Sequence, residues 1–471
     1  MKNRHPRIKY IALLIVASVV GVLLAVSVYL YFGSAGSLPA PLTRSGLIYV
    51  IIALLIALPV LLAVLLAFVV HNRMRGGNNR SEKKEFSDPV INAVQRAPDM
   101  AVSGEVKVGK GVSRFGALTD IDRQRSKYEK TDYVKDVDLK TFCERFRNFA
   151  ASLPTPLYYD IADIRRFVAG LGVSHILILQ GMSGTGKTSL AYAFGEFVGN
   201  TSTVIPVQPM WKERTDLLGY YNEFTKRFNE TTLLKTMYEA NYSKDMYITV
   251  LDEMNIARVE YYFAEFLSML ELPKADERYL DVVTDRWDND PKQLVGGKIG
   301  LPDNMWFVGT ANNDDSTFAI SDKVYDRAMI LNLDNKAEAF AAESSGGVRI
   351  SAEKFAELIK NAKKEYGLSM RNRRRLEALD EYMIEHFHIT FGNRIMKQIS
   401  EYVPIYVACG GGETEALDDI LSKKVLRKLE MQNPVYVKRS AEGFCAYLDE
   451  SFGEDGMPLC KAFVRRLEKN A

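Results

Sequence analysis

Three glycines, a lysine and a threonine are spaced along Gly181-Met182-Ser183-Gly184-Thr185-Gly186-Lys187-Thr188 as G-x-x-x-x-G-K-T. These residue types at this spacing can close a loop of backbone N–H groups around a phosphate. The glycines allow close approach, with Ser183, Thr185 and Ser189 completing the cradle, and a helix N-terminus behind it favours negative charge. Lys187 would reach the β- and γ-phosphates, and the Thr188 hydroxyl would hold Mg²⁺. The motif also needs a strand before it and a helix after it. The apolar run His175 to Gln180 and the helix-like stretch Ser189 to Phe197 supply both. A bound nucleoside triphosphate is therefore expected, with Mg²⁺ as its metal.

Two further segments deliver polar groups from the ends of apolar runs. Tyr247 to Leu251 reads as a strand ending in Asp252 and Glu253, and Asp252 stands 65 residues after Lys187. The first carboxylate suits Mg²⁺ and the second suits polarisation of an attacking water. Sixty residues later, Trp306 to Ala311 delivers Asn312, which can position that water and sense the γ-phosphate. An ordinary turn-capping role for Asn312 is the competing reading. Arg327 is the single arginine between Asn312 and Arg349. It is a cation suited to transition-state charge on a γ-phosphate, or else to an intrasubunit pair with Asp322, Asp326 or Asp334.

These residues need a scaffold that brings strand ends to one edge. Strands over 175–180, 203–207, 246–251 and 305–308, with a helix over 188–199, predict an α/β fold with a parallel, doubly wound sheet. A helical piece from Val137 to about Gly170 precedes it. Arg278 to Val283 and Gly297 to Leu301 read as the arms of a hairpin following a helix over Val259 to Leu270. After about Lys336 the pattern turns helical, over Ala352–Lys364, Arg374–His386, Asn393–Tyr406 and Glu415–Leu429, which reads as an α-helical lid. The expected organisation is a nucleotide-binding domain over 136–336 and a lid with C-terminal helices over 337–471.

The segment before that body differs in kind. Residues 10–32 and 47–70 hold no charged side chain, and runs of 23 and 24 residues are long enough to span a bilayer. Basic residues flank both, so the positive-inside rule places the N-terminus and residues 71–471 in the cytoplasm and the short connection outside. A cleaved signal peptide is the competing reading of the first run. The expectation is a multi-pass anchor in the cell (inner or plasma) membrane over 1–71, followed by a partly disordered linker over 72–135. Residues 1–84 carry 10 Lys/Arg against 1 Asp/Glu, leaving 51 against 58 in the rest. That mildly acidic body argues against nonspecific nucleic-acid binding. Four scattered cysteines and five histidines without ligand spacing point to a reducing compartment and no structural zinc.

Loop, Asp-Glu strand, Asn strand and arginine, in this order, resemble the AAA+ ATPases, and the clade of McrB, MoxR and dynein-like modules in particular. The likeness rests on Leu251-Asp252-Glu253-Met254-Asn255, Asp216 to Tyr221 and Gly309-Thr310-Ala311-Asn312. It covers roughly residues 150–410. The resemblance implies ATP as the nucleotide and a ring, commonly a hexamer, with Arg327 acting on a neighbour's nucleotide. It also implies a second-sensor arginine in the lid. Phe391-Gly392-Asn393-Arg394-Ile395 makes Arg394 the candidate, with Arg371, Arg373, Arg374 and Arg375 as a competing cluster. Two functions fit: a membrane-anchored ATPase acting on a protein partner, or a nucleic-acid translocase or restriction-like motor working with a separate nuclease.

Overall fold

The computed structural model describes residues 113–312, 317–334 and 337–470. The two apolar runs at 10–32 and 47–70 lie outside them. No helix among the described residues is long and apolar enough to cross a membrane.

In chain order the body begins with α1 (Gly116–Arg123), α2 (Leu139–Ala151), α3 (Ile161–Val173), β1 (Ile176–Gly181) and α4 (Lys187–Phe197). Next come β2 (Thr203–Pro206), α5 (Arg214–Leu218), β3 (Gly219–Asn222), β4 (Arg227–Glu230), α6 (Thr232–Ala240) and β5 (Tyr247–Asp252). Then follow α7 (Val259–Tyr262), α8 (Ala264–Leu270), β6 (Tyr279–Asp281), β7 (Leu294–Val295), β8 (Lys298–Gly300) and β9 (Met305–Asn312). A short α9 (Asp322–Tyr325) leads into β10 (Met329–Asn332). The rest is helical: α10 (Ala352–Glu365), α11 (Met370–Phe387), α12 (Gly392–Ala408), α13 (Glu413–Lys424), α14 (Pro434–Phe452) and α15 (Pro458–Asn470).

The central sheet has the order β10-β1-β9-β5-β2, and every pairing in it is parallel. Helices cover both faces, which is why its strands read as continuous apolar runs. Alternate residues serve the two faces. Leu177, Leu179, Ile248, Val250, Trp306 and Val308 join one buried cluster, which runs on into the helices after Ser351. Ile176, Ile178, Leu251, Met305 and Phe307 join the other, with α6 and α8. The lid therefore packs into the same core as one face of the sheet. Its helices start at side-chain caps: Ser351 accepts from the Lys354 N–H, and Ser369 from that of Asn372.

β10, which lies outside the strands expected from the sequence, forms the outer edge beside β1. The hairpin expected from 278–283 and 297–301 is present as β6 and β8, with β7 added at its turn. The helix expected over 259–270 breaks at Phe263 into α7 and α8. A second, more polar hairpin, β3–β4, was not foreseen.

The segment 113–135 departs from the expected linker. Phe115, Leu118 and Ile121 are buried, and the Glu230 carboxylate accepts from the N–H groups of Gly116, Ala117 and Leu118 at 3.1, 2.9 and 2.7 Å. Arg114 pairs with Asp290 at 2.7 Å and lies over the Trp287 ring. An isolated helix of this length is marginal in water; tertiary contacts from β4 and the β6–β8 insert supply its stability.

Candidate functional site

The parallel register lines up three strand ends at one edge of the sheet. Gly181 lies beside Asn312, and Leu251 beside Gly309, which puts Asp252 level with Thr310. The glycine-rich turn crosses this edge between β1 and α4. Gly181 (φ +145°) passes so close to the Leu333 carbonyl that a Cβ would collide with it. Gly186, at φ +86°, turns the chain into α4 and so presents the helix N-terminus to the loop. Tyr159, its phenol pushed well up by burial, donates to the Gly186 carbonyl at 3.0 Å and braces the turn.

Lys187 is buried, and its ammonium donates to the carbonyls of Gly181 and Met182 at 3.0 and 2.6 Å. The Thr188 hydroxyl donates to Asp252 Oδ1 at 2.7 Å. A hydroxyl and a carboxylate oxygen in contact at the loop's rim form the hard-oxygen pair that Mg²⁺ takes, with water and phosphate filling the other positions. The residues present thus fit a magnesium triphosphate. Bound there, the ion would neutralise charge on the phosphates.

Glu253 adopts the left-handed region, φ 52°, which costs a non-glycine residue about 1–2 kcal/mol. Its N–H donates to the Thr310 hydroxyl at 2.9 Å, and that hydroxyl donates to Asp252 Oδ1 at 2.9 Å. Thr310 therefore fixes both carboxylate residues through one oxygen. Asn255, also buried, donates to the Asn312 carbonyl at 2.9 Å and to the Thr317 hydroxyl at 3.0 Å. It joins the turn after β5 to the end of β9 and to Thr317. Neither Thr310 nor Asn255 had been given a role from the sequence, although both stand inside the motifs quoted above. Their signal is their place, two residues from Asn312 and from Glu253 respectively.

Asn312 lines a cleft of about 1190 Å³ at the strand C-termini, with Gln180, Asn332, Asp160, Arg166 and Lys423. A cleft of that size has room for a nucleoside. Arg166 reaches Asp163 at 2.8 Å and Asp419 at 3.0 Å. Asp419 also accepts from Tyr402 at 2.7 Å and pairs with Lys423 at 2.5 Å. Lid and body thus meet through buried charges at the cleft wall.

Arg327 lies at the opposite end of the sheet. Its carbonyl accepts from the Ser174 hydroxyl at 3.0 Å, just before β1 begins, whereas the loop starts where β1 ends. At ~3.3 Å per strand residue the two points are roughly 20 Å apart, beyond the reach of a side chain. The intrasubunit partner of Arg327 is Glu271, at 2.8 Å, rather than Asp322, Asp326 or Asp334.

Arg394, the candidate second-sensor arginine of the lid, lies beside Arg327. Its guanidinium pairs with the same Glu271, at 2.8 Å. Helix α12 reaches the segment before β10 where Gln398 Nε2 donates to the Asp326 carbonyl at 3.0 Å. The lid cations that do line the cleft are Lys423, Arg427 and Arg466. In the competing cluster, Arg375 bonds Asn372 on its own helix at 3.0 Å and lies over Phe452. Among the described residues no group of acidic, His and Cys side chains forms a metal-binding cluster.

Comparison with known proteins agrees with this geometry. The model of the AAA domain (dynein-related subfamily) matches residues 176–328, and a domain of unknown function (DUF8727) matches 343–470. No curated protein matches by sequence. Among solved structures, a candidate ATPase from Cytophaga hutchinsonii is similar at 14% identity and TM-score 0.44, covering 68% of this chain and 94% of that one. A full-length MCM homolog from Methanopyrus kandleri is similar at 11% identity and TM-score 0.34, covering 68% and 63%. Residues 176–328 are thus similar to the AAA domain of the dynein-related subfamily, and the chain is an ATPase.

Proposed function

We propose that this protein is a ring-forming ATPase, commonly hexameric in its clade, anchored to the cell membrane by residues 10–32 and 47–70. On this reading it couples ATP hydrolysis on the cytoplasmic side to remodelling or activating a protein partner. The observation that carries the proposal is the separation of Arg327 from its own phosphate loop. A cation at that end of the sheet serves hydrolysis only if it reaches a neighbour's nucleotide, and a closed ring of like interfaces gives every site one. Glu253 polarises the water, Asn312 orients it, Thr188 and Asp252 hold Mg²⁺, Lys187 holds the β- and γ-phosphates, and the neighbour's Arg327 meets the charge that develops. The anchor rests on the two uncharged runs and their basic flanks. A protein partner, rather than nucleic acid, is favoured by the acid excess of the body.

The test uses the full chain in detergent or nanodiscs. Glu253→Gln should bind ATP, hydrolyse it slowly, and retain a client through affinity capture. Recovery of nucleic acid alone would favour the translocase reading instead. Mixing Lys187→Ala with Arg327→Ala subunits should restore part of the turnover, because each mutant supplies what the other lacks. Well-mixed assemblies with no recovery would end the shared-site reading.

A further inference from the structure

Glu271 is the residue between the two arginines, and hydrolysis as described so far gives it no task. It follows α8 directly, and its two oxygens divide their partners: Oε2 takes Arg327 and Oε1 takes Arg394, each at 2.8 Å. The three groups come from separate parts of the chain: the helix after the Asp-Glu strand, the segment before β10, and the first turn of the lid helix α12. As surface ion pairs they are worth little, since such pairs contribute ~0–1 kcal/mol. Their geometry matters more. Two guanidinium groups brought this close repel one another, and a carboxylate bridging them is what keeps both aimed to one side.

The surroundings fix that aim. Arg327 donates from a second nitrogen to the Lys323 carbonyl at 2.8 Å, so its side chain is held at two points. Its Nε is buried without a hydrogen-bond partner, so the guanidinium has been drawn into this position without all its donors satisfied. One turn beyond Arg394, Gln398 holds the Asp326 carbonyl, and Lys424 on α13 donates to the carbonyls of Tyr325 and Ala328. The strip that carries Arg327 is therefore gripped by the same two lid helices that carry or flank Arg394. Arginine pairs arranged around one two-oxygen anion are also suited to phosphate, which presents the same forked acceptors.

We infer that Glu271 is a positioning residue for hydrolysis: it holds Arg327 and Arg394 as a pair, so that both are delivered together to the γ-phosphate bound by the neighbouring subunit. This rests on the shared-site reading above. Glu271 does not touch the nucleotide, and its effect passes through the two arginines. Loss of its charge lets the guanidinium groups splay, leaving ATP binding at the subunit's own loop untouched.

The test is Glu271→Gln in the full chain, assayed for turnover and, separately, for ATP affinity. We expect kcat to fall about tenfold or more with ATP affinity within twofold of wild type. A decisive arm mixes this variant with Lys187→Ala subunits, which carry intact arginines beside a disabled loop. Turnover should recover in the mixture, since the variant's loops are then served by the partner's arginines. Wild-type kcat in Glu271→Gln would overturn the inference. So would a loss that mixing does not restore, or a loss accompanied by weakened ATP binding, either of which marks a purely structural role. Arg327→Ala run in parallel separates the two failures. If Arg327→Ala keeps full activity, the shared-site reading itself falls; if it fails while Glu271→Gln does not, only the role of Glu271 falls.

Discussion

At the C-terminal end of the sheet the reactive groups are fixed by backbone. Lys187 opens a helix, Asp252 and Glu253 finish one strand, Asn312 finishes another, and a single hydroxyl from Thr310 ties two of them. At the other end, Arg327 and Arg394 reach on long side chains toward one carboxylate, from a connecting segment and from the lid. The first arrangement is held by the backbone of one sheet edge. The second is made by side chains gathered from three separate parts of the chain. On the proposed shared-site reading, the groups that bind nucleotide are set by one sheet edge and the arginine that serves the neighbour is set by side-chain contacts, so hydrolysis depends on how two subunits meet while nucleotide stays held.

The largest effects should separate the two ends. Lys187→Ala removes the buried cation proposed to hold the phosphates, so both ATP affinity and turnover should collapse, the latter by on the order of 10³-fold. Arg327→Ala should cost turnover on a similar scale, roughly 10³-fold, yet leave equilibrium ATP binding near wild type. Binding measured by isothermal titration calorimetry, alongside steady-state turnover, distinguishes the pair. Equal loss of affinity in both variants would abolish the contrast between the two ends.

Thr310→Val sharpens the account of the backbone-held end. Valine keeps the shape and removes the hydroxyl that serves Asp252 and the Glu253 N–H together. A hydrogen bond to a charged group is worth about 1.5–3 kcal/mol, so kcat should fall by roughly 10- to 100-fold. ATP affinity should hardly change, because the loop is untouched. A rise in KM with unchanged kcat would assign Thr310 to binding instead.

How much of this was legible in the sequence follows from how local each feature is. The phosphate loop lies in consecutive residues, and its flanking strand and helix are apolar runs of ordinary length. Asp252, Glu253 and Asn312 were legible because each ends such a run. The role of Thr310 needs the cross-strand register that sets it level with Asp252, and a single chain's pattern does not carry register between strands separated by crossovers. The pairing of Arg327 with Arg394 lies deeper still, since it depends on how the lid docks. Lid placement is set by packing of buried side chains such as Ile395, Ile399 and Tyr402, which read only as one apolar stripe. Helix α1 is hard to read for a related reason: its two buried apolar residues, Leu118 and Ile121, sit in a polar stretch, and a distant carboxylate, Glu230, caps it.

The smallest expected effect concerns the hold of the lid on the Arg327 strip. Lys424 is buried, donates to the carbonyls of Tyr325 and Ala328, and has its pKa pushed down from the usual lysine value to about 7, chiefly by burial. Below pH 7 the amine is charged in both the folded and unfolded chain, and the full cost of burying that charge falls on the fold. Between about pH 7 and 10 the folded chain releases the proton while the unfolded chain keeps it, so this residue's contribution to stability improves as pH rises. The slope approaches ~1.4 kcal/mol per pH unit well inside that window and is shallower near its lower edge. Lys424→Met removes the titration, so the wild-type Tm should gain on that of the variant between pH 6.5 and 8.5, by a few degrees. Parallel melting curves for the two proteins across that range would show Lys424 charged throughout, and the lid held by an ordinary ammonium.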